Sequence, residues 1–197
     1  MTSIRQKILR FIYPLLMKAN NQTGRHSLIL ENKNGQLSQT PIYPLTVVLN
    51  DGKEIPLSNW PDKKLLLVNT ASNCGYTAQF AELQQLQDQY AQTLQVVGFP
   101  SNDFKNQEPD NDATIAQFCQ RNFGVTFPLV QKSQVRKGTG QHPVYQWLTQ
   151  PGKNGWNDYA PSWNFSKYLI NEHGVLTHYF DAGVPPLDHK ILQAIGV

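Results

Sequence analysis

The sequence contains few cysteines, few charged residues and no long apolar run. Of its 197 residues, two are cysteine and 16% are charged. Two cysteines are too few for a disulfide scaffold or a four-cysteine zinc site. The longest apolar stretch spans residues 11–17 and includes a proline, whereas a membrane-spanning helix needs roughly 20 apolar residues. The remaining composition, 40% apolar and 11% aromatic, predicts one globular domain in which any cysteine chemistry is local.

Positive charge is concentrated at the N-terminus. Residues 1–35 hold six Lys and Arg against one Glu, and the rest of the chain holds 11 basic against 13 acidic residues. The basic pI of 8.8 therefore describes the first segment and gives no reason to expect nucleic-acid binding by the domain.

Apolar side chains in this first segment recur at helical spacing. They are Ile4, Ile8, Phe11, Ile12, Leu15 and Leu16, with Lys7, Arg10 and Lys18 opposite. The pattern predicts a short basic amphipathic helix that Pro14 would kink or interrupt. Three interpretations stay open: contact of residues 1–20 with a membrane surface, packing on the protein's own core, and a secretory signal that lacks a small-x-small cleavage site. We expect an extension over residues 1–40 and a domain over 41–197.

From residue 42 onward, the pattern changes to short apolar runs separated by turn residues. A hairpin is predicted at 45–49 and 54–57, and buried strands at 64–69 and 94–99. Helical spacing is found at 80–90, 112–122 and 187–195, and a second hairpin at 165–170 and 175–180. This order predicts an α/β domain with a central mixed sheet flanked by helices.

Cys74 lies between the first buried strand and the first long helix, just before Thr77, a predicted helix N-cap. Free N–H groups and the helix dipole stabilise a thiolate there, so we expect a pKa below the usual value of about 8.5. The alternative is a buried structural thiol, which the small loop residues and Gly75 make less attractive. Thr77 also stands where a Cys-x-x-Cys motif would have its second cysteine, which excludes a disulfide exchanger of that type.

The amino-acid sequence around Cys74 resembles that of the glutathione peroxidase family. The matching strings are 68–77 (VNTASNCGYT), 98–100 (GFP), 106–109 (NQEP), 127–128 (FP) and 163–165 (WNF). The resemblance runs from about residue 42 to the C-terminus and implies a thioredoxin-like fold. It also implies Cys74 as the thiolate that attacks peroxide, with Gln107, Trp163 and Asn164 as hydrogen-bond donors around it. Without the resemblance, Gln107 would be interpreted as an exposed loop residue and Trp163 as a core aromatic.

Two further choices concern the site residues. A second Trp-Asn pair, at 156–157, lies in a loop-like composition, so the pair at 163–164 is preferred; both of its side chains can reach one sulfur only if the pair precedes the regular strand. Ser101 stands where the family often has cysteine. The thioredoxin-dependent branch of the family therefore implies Cys119 as the resolving cysteine, and an apolar helix position is the alternative for that residue.

These features together predict a thiol peroxidase that reduces hydrogen peroxide and organic or lipid hydroperoxides through a Cys74 sulfenic acid. The short stretch between Leu148 and Trp163 resembles monomeric members of the family, which favours thioredoxin over glutathione as reductant. Alternatives are a peroxide sensor that passes a disulfide to a partner protein and a non-catalytic binding module. We expect a cytoplasmic monomer, with peripheral membrane contact as an option, and neither cofactor nor metal, because the five histidines are scattered.

Overall fold

A computed structural model describes residues 8, 11–13, 15 and 26–197 of the chain. Its strands are β1 (Ile29–Glu31), β2 (Thr46–Val48), β3 (Glu54–Pro56), β4 (Lys64–Thr70), β5 (Leu94–Pro100), β6 (Lys167–Ile170) and β7 (Leu176–Phe180). Its α-helices from residue 26 onward are α1 (Gln79–Tyr90), α2 (Asp112–Phe123), α3 (Pro143–Leu148), α4 (Pro151–Asn154) and α5 (His189–Ile195), and Leu57–Asn59 form a 3-10 turn.

Five strands form one mixed sheet in the order β1-β7-β6-β4-β5. Strands β4 and β5 are parallel, and the other neighbouring pairs are antiparallel. Strands β2 and β3 form a separate antiparallel pair. The predicted hairpins, buried strands and three long helices are confirmed to within a few residues.

The central strand β4 is covered on both faces, which explains its nearly continuous apolar sequence. Leu66 and Val68 belong to a core with side chains of α1, α2 and α5. Leu65 and Leu67 belong to a second core with side chains of α3. Because successive side chains of a strand point to opposite faces, helices lie on both sides of the sheet.

Strand β1 adds an element that the periodicity did not predict. Ile29 pairs with Phe180 and Glu31 with His178. The backbone pairing continues before the strand, where Asp181 N–H donates to Leu28 O and Gly183 N–H donates to His26 O. The segment from residue 26 is thereby fixed along the edge of β7.

The described part of the N-terminal segment, residues 8, 11–13 and 15, is helical. Tyr13 is buried against the core, and its hydroxyl donates to Glu82 of α1 at 3.1 Å. Ile8, Phe11 and Leu15 are 55%, 84% and 66% exposed, so these members of the predicted apolar face do not pack on the core. Ile4, Lys7, Arg10, Pro14, Leu16 and Lys18 lie outside the described residues, as does the 19–21 segment. Among the described residues, no helix is long and apolar enough to cross a bilayer.

Candidate active site

The loop after β4 carries Cys74 and is fastened by Thr77. The Thr77 hydroxyl accepts from the Cys74 N–H at 3.0 Å and lies within hydrogen-bonding distance of the Ala71 and Cys74 carbonyls. The prediction that Thr77 caps α1 is wrong, since the N-cap is Ala78 and has no side-chain capping bond. Thr77 instead closes a tight turn that points the sulfur toward the next N–H groups: the Tyr76 N–H donates to Cys74 Sγ at 3.4 Å.

Trp163 and Asn164 lie before the regular strand, as their predicted joint approach to the sulfur requires. Strand β6 starts at Lys167, and Phe165 adopts a left-handed φ of 72° that turns the chain. A left-handed backbone at a bulky residue costs about 1–3 kcal/mol. It is held here by Asn69 of β4, whose carbonyl accepts from Phe165 N–H at 2.6 Å and whose amide donates to Trp163 O at 3.0 Å.

Both side chains of this pair act on the Cys74 sulfur. Burial raises the pKa of the Cys74 thiol above that of an exposed cysteine, and hydrogen bonds from the Tyr76 N–H, the Trp163 and Asn164 side chains and the Gly75 N–H lower it. The prediction of a depressed pKa from the helix N-terminus is therefore wrong, because desolvation of the fully buried sulfur outweighs the donors. Ionisation requires that water or a peroxide reach the sulfur.

Gln107 is linked to the same group of side chains through Asn164. The Asn164 amide donates to Gln107 Oε1 at 2.9 Å, and the Gln107 carbonyl accepts from Asn73 N–H at 3.0 Å. Gln107 is half-buried, and the two residues before it, Lys105 and Asn106, both have left-handed φ values of 52°. The geometry joins Gln107 to the Cys74 loop and to Asn164, and within the described part of the chain its amide N–H₂ group has no acceptor, so that it can bind a reactant.

Cys119 lies on α2 and is fully buried in the same core as Cys74. Both cysteines are free thiols. Burial, together with the nearby charge of Glu108, raises the pKa of the Cys119 thiol. A disulfide requires Cα atoms about 4.4–6.8 Å apart and an attacking sulfur that can reach its partner. Cys119, buried on a regular helix, does not meet the second requirement in this conformation.

His26 is a site neighbour that sequence reasoning missed. Its ring lies 6.2 Å from the Trp163 ring and 6.4 Å from the Tyr76 ring, measured between centroids. Its Nδ1 is 3.3 Å from Ser162 Oγ and 3.8 Å from Asp181 Oδ2, and Ser162 donates to Asp181. No sequence signal marks His26, because it reaches the site through the pairing of the N-terminal segment with β7.

Two other histidines lie in different environments. His173 is exposed in the turn before β7. His142 caps α3 by accepting from Val144 N–H at 3.2 Å, and burial lowers its pKa to about 4. Within the described part of the chain, no cluster of three or more His, Cys, Asp or Glu side chains could hold a metal ion.

Comparisons with known proteins relate this chain to one family. The glutathione peroxidase family model matches residues 42–149. The chain is 40% identical to the glutathione peroxidase homolog BsaA of Bacillus subtilis, over 74% of this chain and 91% of that protein. It is 43% identical to the glutathione peroxidase-like peroxiredoxin gpx1 of Schizosaccharomyces pombe, over 73% of this chain and 90% of that protein.

Comparison with solved structures identifies the same family as the sequence comparisons. A crystal structure of T. cruzi GPX1 superimposes with a TM-score of 0.59 at 32% identity, covering 80% of this chain and 97% of that one. The thioredoxin-like fold implied by the resemblance is thus confirmed. The matched domain, the relatives and the fold together place this chain in the glutathione peroxidase family, as a peroxidase of the oxidoreductase class.

Proposed function

We propose that this peroxidase works by a two-cysteine thiol mechanism, with Cys74 as the attacking group and thioredoxin as the reductant. The observation that carries the proposal is the convergence of N–H donors from Tyr76, Trp163 and Asn164 on one sulfur atom. Indole and amide N–H groups stabilise a thiolate and then the negative oxygen that develops when a peroxide bond breaks. Gln107, which Asn164 holds in place, supplies a further N–H₂ group to the reacting oxygen.

In the first step, the Cys74 thiol gives up its proton and the thiolate attacks the hydroxyl oxygen of the hydroperoxide. An S–O bond forms and the O–O bond breaks, so the sulfur is oxidised to sulfenic acid and the peroxide is reduced to an alcohol, or to water when the substrate is hydrogen peroxide. The departing alkoxide or hydroxide takes up the proton that the thiol released. Sulfenic acid is the reversible stage of cysteine oxidation, which allows the enzyme to be recycled.

In the second step, the Cys119 sulfur attacks the sulfenic acid, an S–S bond forms, and the hydroxyl leaves as water with the thiol proton. This requires Cys119 to leave its buried position on α2. Helix α2 buries fewer side chains than α1: of its 12 residues Ile115 and Cys119 are buried, with Phe118 and Phe123 partly buried against the core, whereas six are buried on the equally long α1. Local unfolding costs least where few side chains are buried, so α2 is the helix best suited to release a resolving cysteine.

In the third step, thioredoxin reduces the disulfide by thiol exchange and is itself oxidised. Thioredoxin is favoured over glutathione because Cys119 supplies a partner thiol within the chain and because the fission-yeast relative carries the name peroxiredoxin. The competing proposal is a peroxide sensor, in which the same disulfide passes to a partner protein and turnover is slow.

Mass spectrometry after one equivalent of hydrogen peroxide tests the mechanism. We expect a Cys74–Cys119 disulfide in the wild-type chain and a trapped Cys74 sulfenic acid in C119S, which dimedone labels. Rapid multi-turnover peroxide loss with thioredoxin and thioredoxin reductase supports the enzyme. A Cys74–glutathione adduct would assign the reductant to glutathione, slow turnover with a trapped mixed disulfide would favour the sensor, and unmodified thiols would contradict the thiol mechanism.

The exposed apolar side chains of the first helix support a second proposal, contact with an anionic membrane surface. Ile8, Phe11 and Leu15 face solvent in a segment with net positive charge, the combination that binds lipid interfaces. Sedimentation with phosphatidylcholine–phosphatidylserine vesicles should bring down the wild-type chain and leave F11S in solution. L37S is the matched control, since Leu37 is 69% exposed outside this helix; equal sedimentation of all three would dismiss the proposal.

Three further predictions concern the domain organisation, oligomeric state and location of the peroxidase. The catalytic domain spans 41–197, residues 1–40 are an extension that contributes β1 to the sheet of that domain, and the chain acts as a monomer in the cytoplasm. Size-exclusion chromatography with light scattering measures the mass directly, and a species twice the chain mass of 22.3 kDa would contradict the monomer.

A further inference from the structure

Glu108 is a buried carboxyl group that joins the loop before α2 to the loop of Cys74. It is 0% exposed. Its Oε2 accepts from the Ser72 backbone N–H at 2.8 Å and from the Ser72 hydroxyl at 3.0 Å. Ser72 lies two residues before Cys74, so the carboxyl holds the backbone from which the sulfur projects.

The Glu108 side of this contact is itself fixed. The Glu108 N–H donates to Asn102 Oδ1 at 2.9 Å. The Lys132 amine lies 3.5 Å from the Glu108 carbonyl and donates to the Asp110 carbonyl at 2.7 Å. Asn102 and Lys132 thus fix the loop around Glu108, and the Ser72 contact fixes the Cys74 loop relative to it.

A carboxyl group at this position is costly for the fold. Its second oxygen, Oε1, has no hydrogen-bond partner among the described residues. Burial raises its pKa to about 7; the nearby Asp110 acts in the same direction, and the Ser72 hydrogen bonds and Lys132 oppose it. An ionisable group kept in a place that disfavours its charge is a signature of functional sites, and among the described residues the hydrogen bonds of this carboxyl both come from Ser72.

We propose that Glu108 is a positioning residue for the first step of the reaction, which binds Ser72 and thereby holds the Cys74 sulfur in register with the donors of Trp163 and Asn164. The inference rests on the proposed role of Cys74. The residue before Glu108 also binds the Cys74 loop, because the Gln107 carbonyl accepts from the N–H of Asn73, next to Ser72. The loop of Cys74 and the loop of Gln107 are therefore locked together by three hydrogen bonds, two of which end on the Glu108 carboxyl.

Loss of this contact should affect the reaction more than the fold. Misplacing a reacting group by about 1 Å can cost on the order of 100-fold in rate. In E108A the Ser72 N–H and hydroxyl lose their acceptor, and we expect the rate constant for Cys74 oxidation by hydrogen peroxide to fall at least about tenfold. In E108Q the carboxamide oxygen still accepts from Ser72, and the rate should stay within about threefold of wild type.

The experiment measures two quantities on wild type, E108A, E108D, E108Q and S72A: the stopped-flow rate of peroxide reduction and the pH profile of Cys74 alkylation by iodoacetamide. E108D retains a carboxyl but withdraws it from Ser72 by one methylene group, so it should resemble E108A and provides the test if E108A does not fold. S72A loses only the hydroxyl donor and should fall between E108Q and E108A.

A positioning role predicts that the alkylation profile moves to higher pH in E108A and E108D and returns in E108Q, because misaligned donors stabilise the thiolate less. A purely structural role would lower the melting temperature of these variants without moving the profile, and that result would overturn the inference. A wild-type chain that alkylates normally but consumes no peroxide would instead overturn the proposed function.

Discussion

Replacing Trp163 with phenylalanine isolates one hydrogen bond to the Cys74 sulfur. The Trp163 side chain donates to Cys74, and its ring packs at 5.6 Å from the Phe104 ring and 6.2 Å from the His26 ring. Phenylalanine keeps an aromatic ring in contact with both neighbours and removes the indole N–H. The substitution therefore changes the environment of the thiolate while leaving most of the packing in place.

The size of the effect follows from the strength of a charged hydrogen bond. Such a bond contributes about 1.5–3 kcal/mol, and one pKa unit corresponds to about 1.4 kcal/mol. W163F should therefore raise the pKa of Cys74 by about 1 to 2 units. Because the thiol is already largely protonated at pH 7, the thiolate fraction falls in proportion, and the rate of peroxide reduction should fall about 10- to 100-fold.

The assay is the pH dependence of alkylation, with peptide mass spectrometry to separate Cys74 from Cys119. W156F is the matched control, because the Trp156 indole donates to the Leu176 carbonyl at 2.8 Å, away from the sulfur. That variant should lose about 1 kcal/mol of stability and keep the wild-type alkylation profile. Identical profiles for W163F and wild type, or an equal displacement in W156F, would refute the assigned donor.

Three other measurements test the structure independently. Burial lowers the pKa of Lys167 from 10.5 to about 7. Between these values the unfolded chain binds a proton that the folded chain does not, so the unfolding free energy of wild type minus that of K167M should rise by about 1.4 kcal/mol per pH unit from pH 7.5 to 9.5 in urea titrations; parallel curves would contradict the burial. In G98A the new Cβ would lie 2.7 Å from Leu129 Cδ2, and thermal melts should show a loss of about 1–3 kcal/mol. In G152A nothing lies within 4 Å of the new Cβ, so the unfolding free energy should rise by up to about 1 kcal/mol. Equal melting temperatures for G98A and G152A would show that β5 shifts to accommodate the methyl group. H26A removes a ring beside Trp163 and should speed iodoacetamide access to Cys74, an acceleration whose absence would show that other groups shield the sulfur.

Much of the fold could be predicted because its central elements have strong local patterns. Strands β4 and β5 are buried along nearly their whole length, which produces nearly continuous apolar runs bounded by turn residues. The Trp163-Asn164 pair was placed before its strand by a geometric requirement of the pleat, and the left-handed Phe165 supplies the turn. Local sequence was sufficient to place the strands, whereas the turn at Phe165 is held by Asn69 of the distant strand β4.

Other features depend on contacts between distant segments, which no local pattern reveals. Strand β1 has three residues and exists through its ladder with β7. Helices α3 and α4 each begin with a proline, but they are too short for their apolar residues to show a helical period. The raised pKa of Cys74 reflects how the folded chain surrounds the sulfur, and the loop sequence alone gave the opposite sign.

The pairing of β1 with β7 has a consequence for how this protein tolerates shortening. The family model begins at residue 42, so a chain shortened to that limit would lack β1, and the backbone groups of β7 that pair with Ile29–Glu31 would lose their partners. An unpaired sheet edge is a template for strands of other chains. A chain shortened to the family limit should therefore self-associate, even though Cys74, Gln107, Trp163 and Asn164 are all retained.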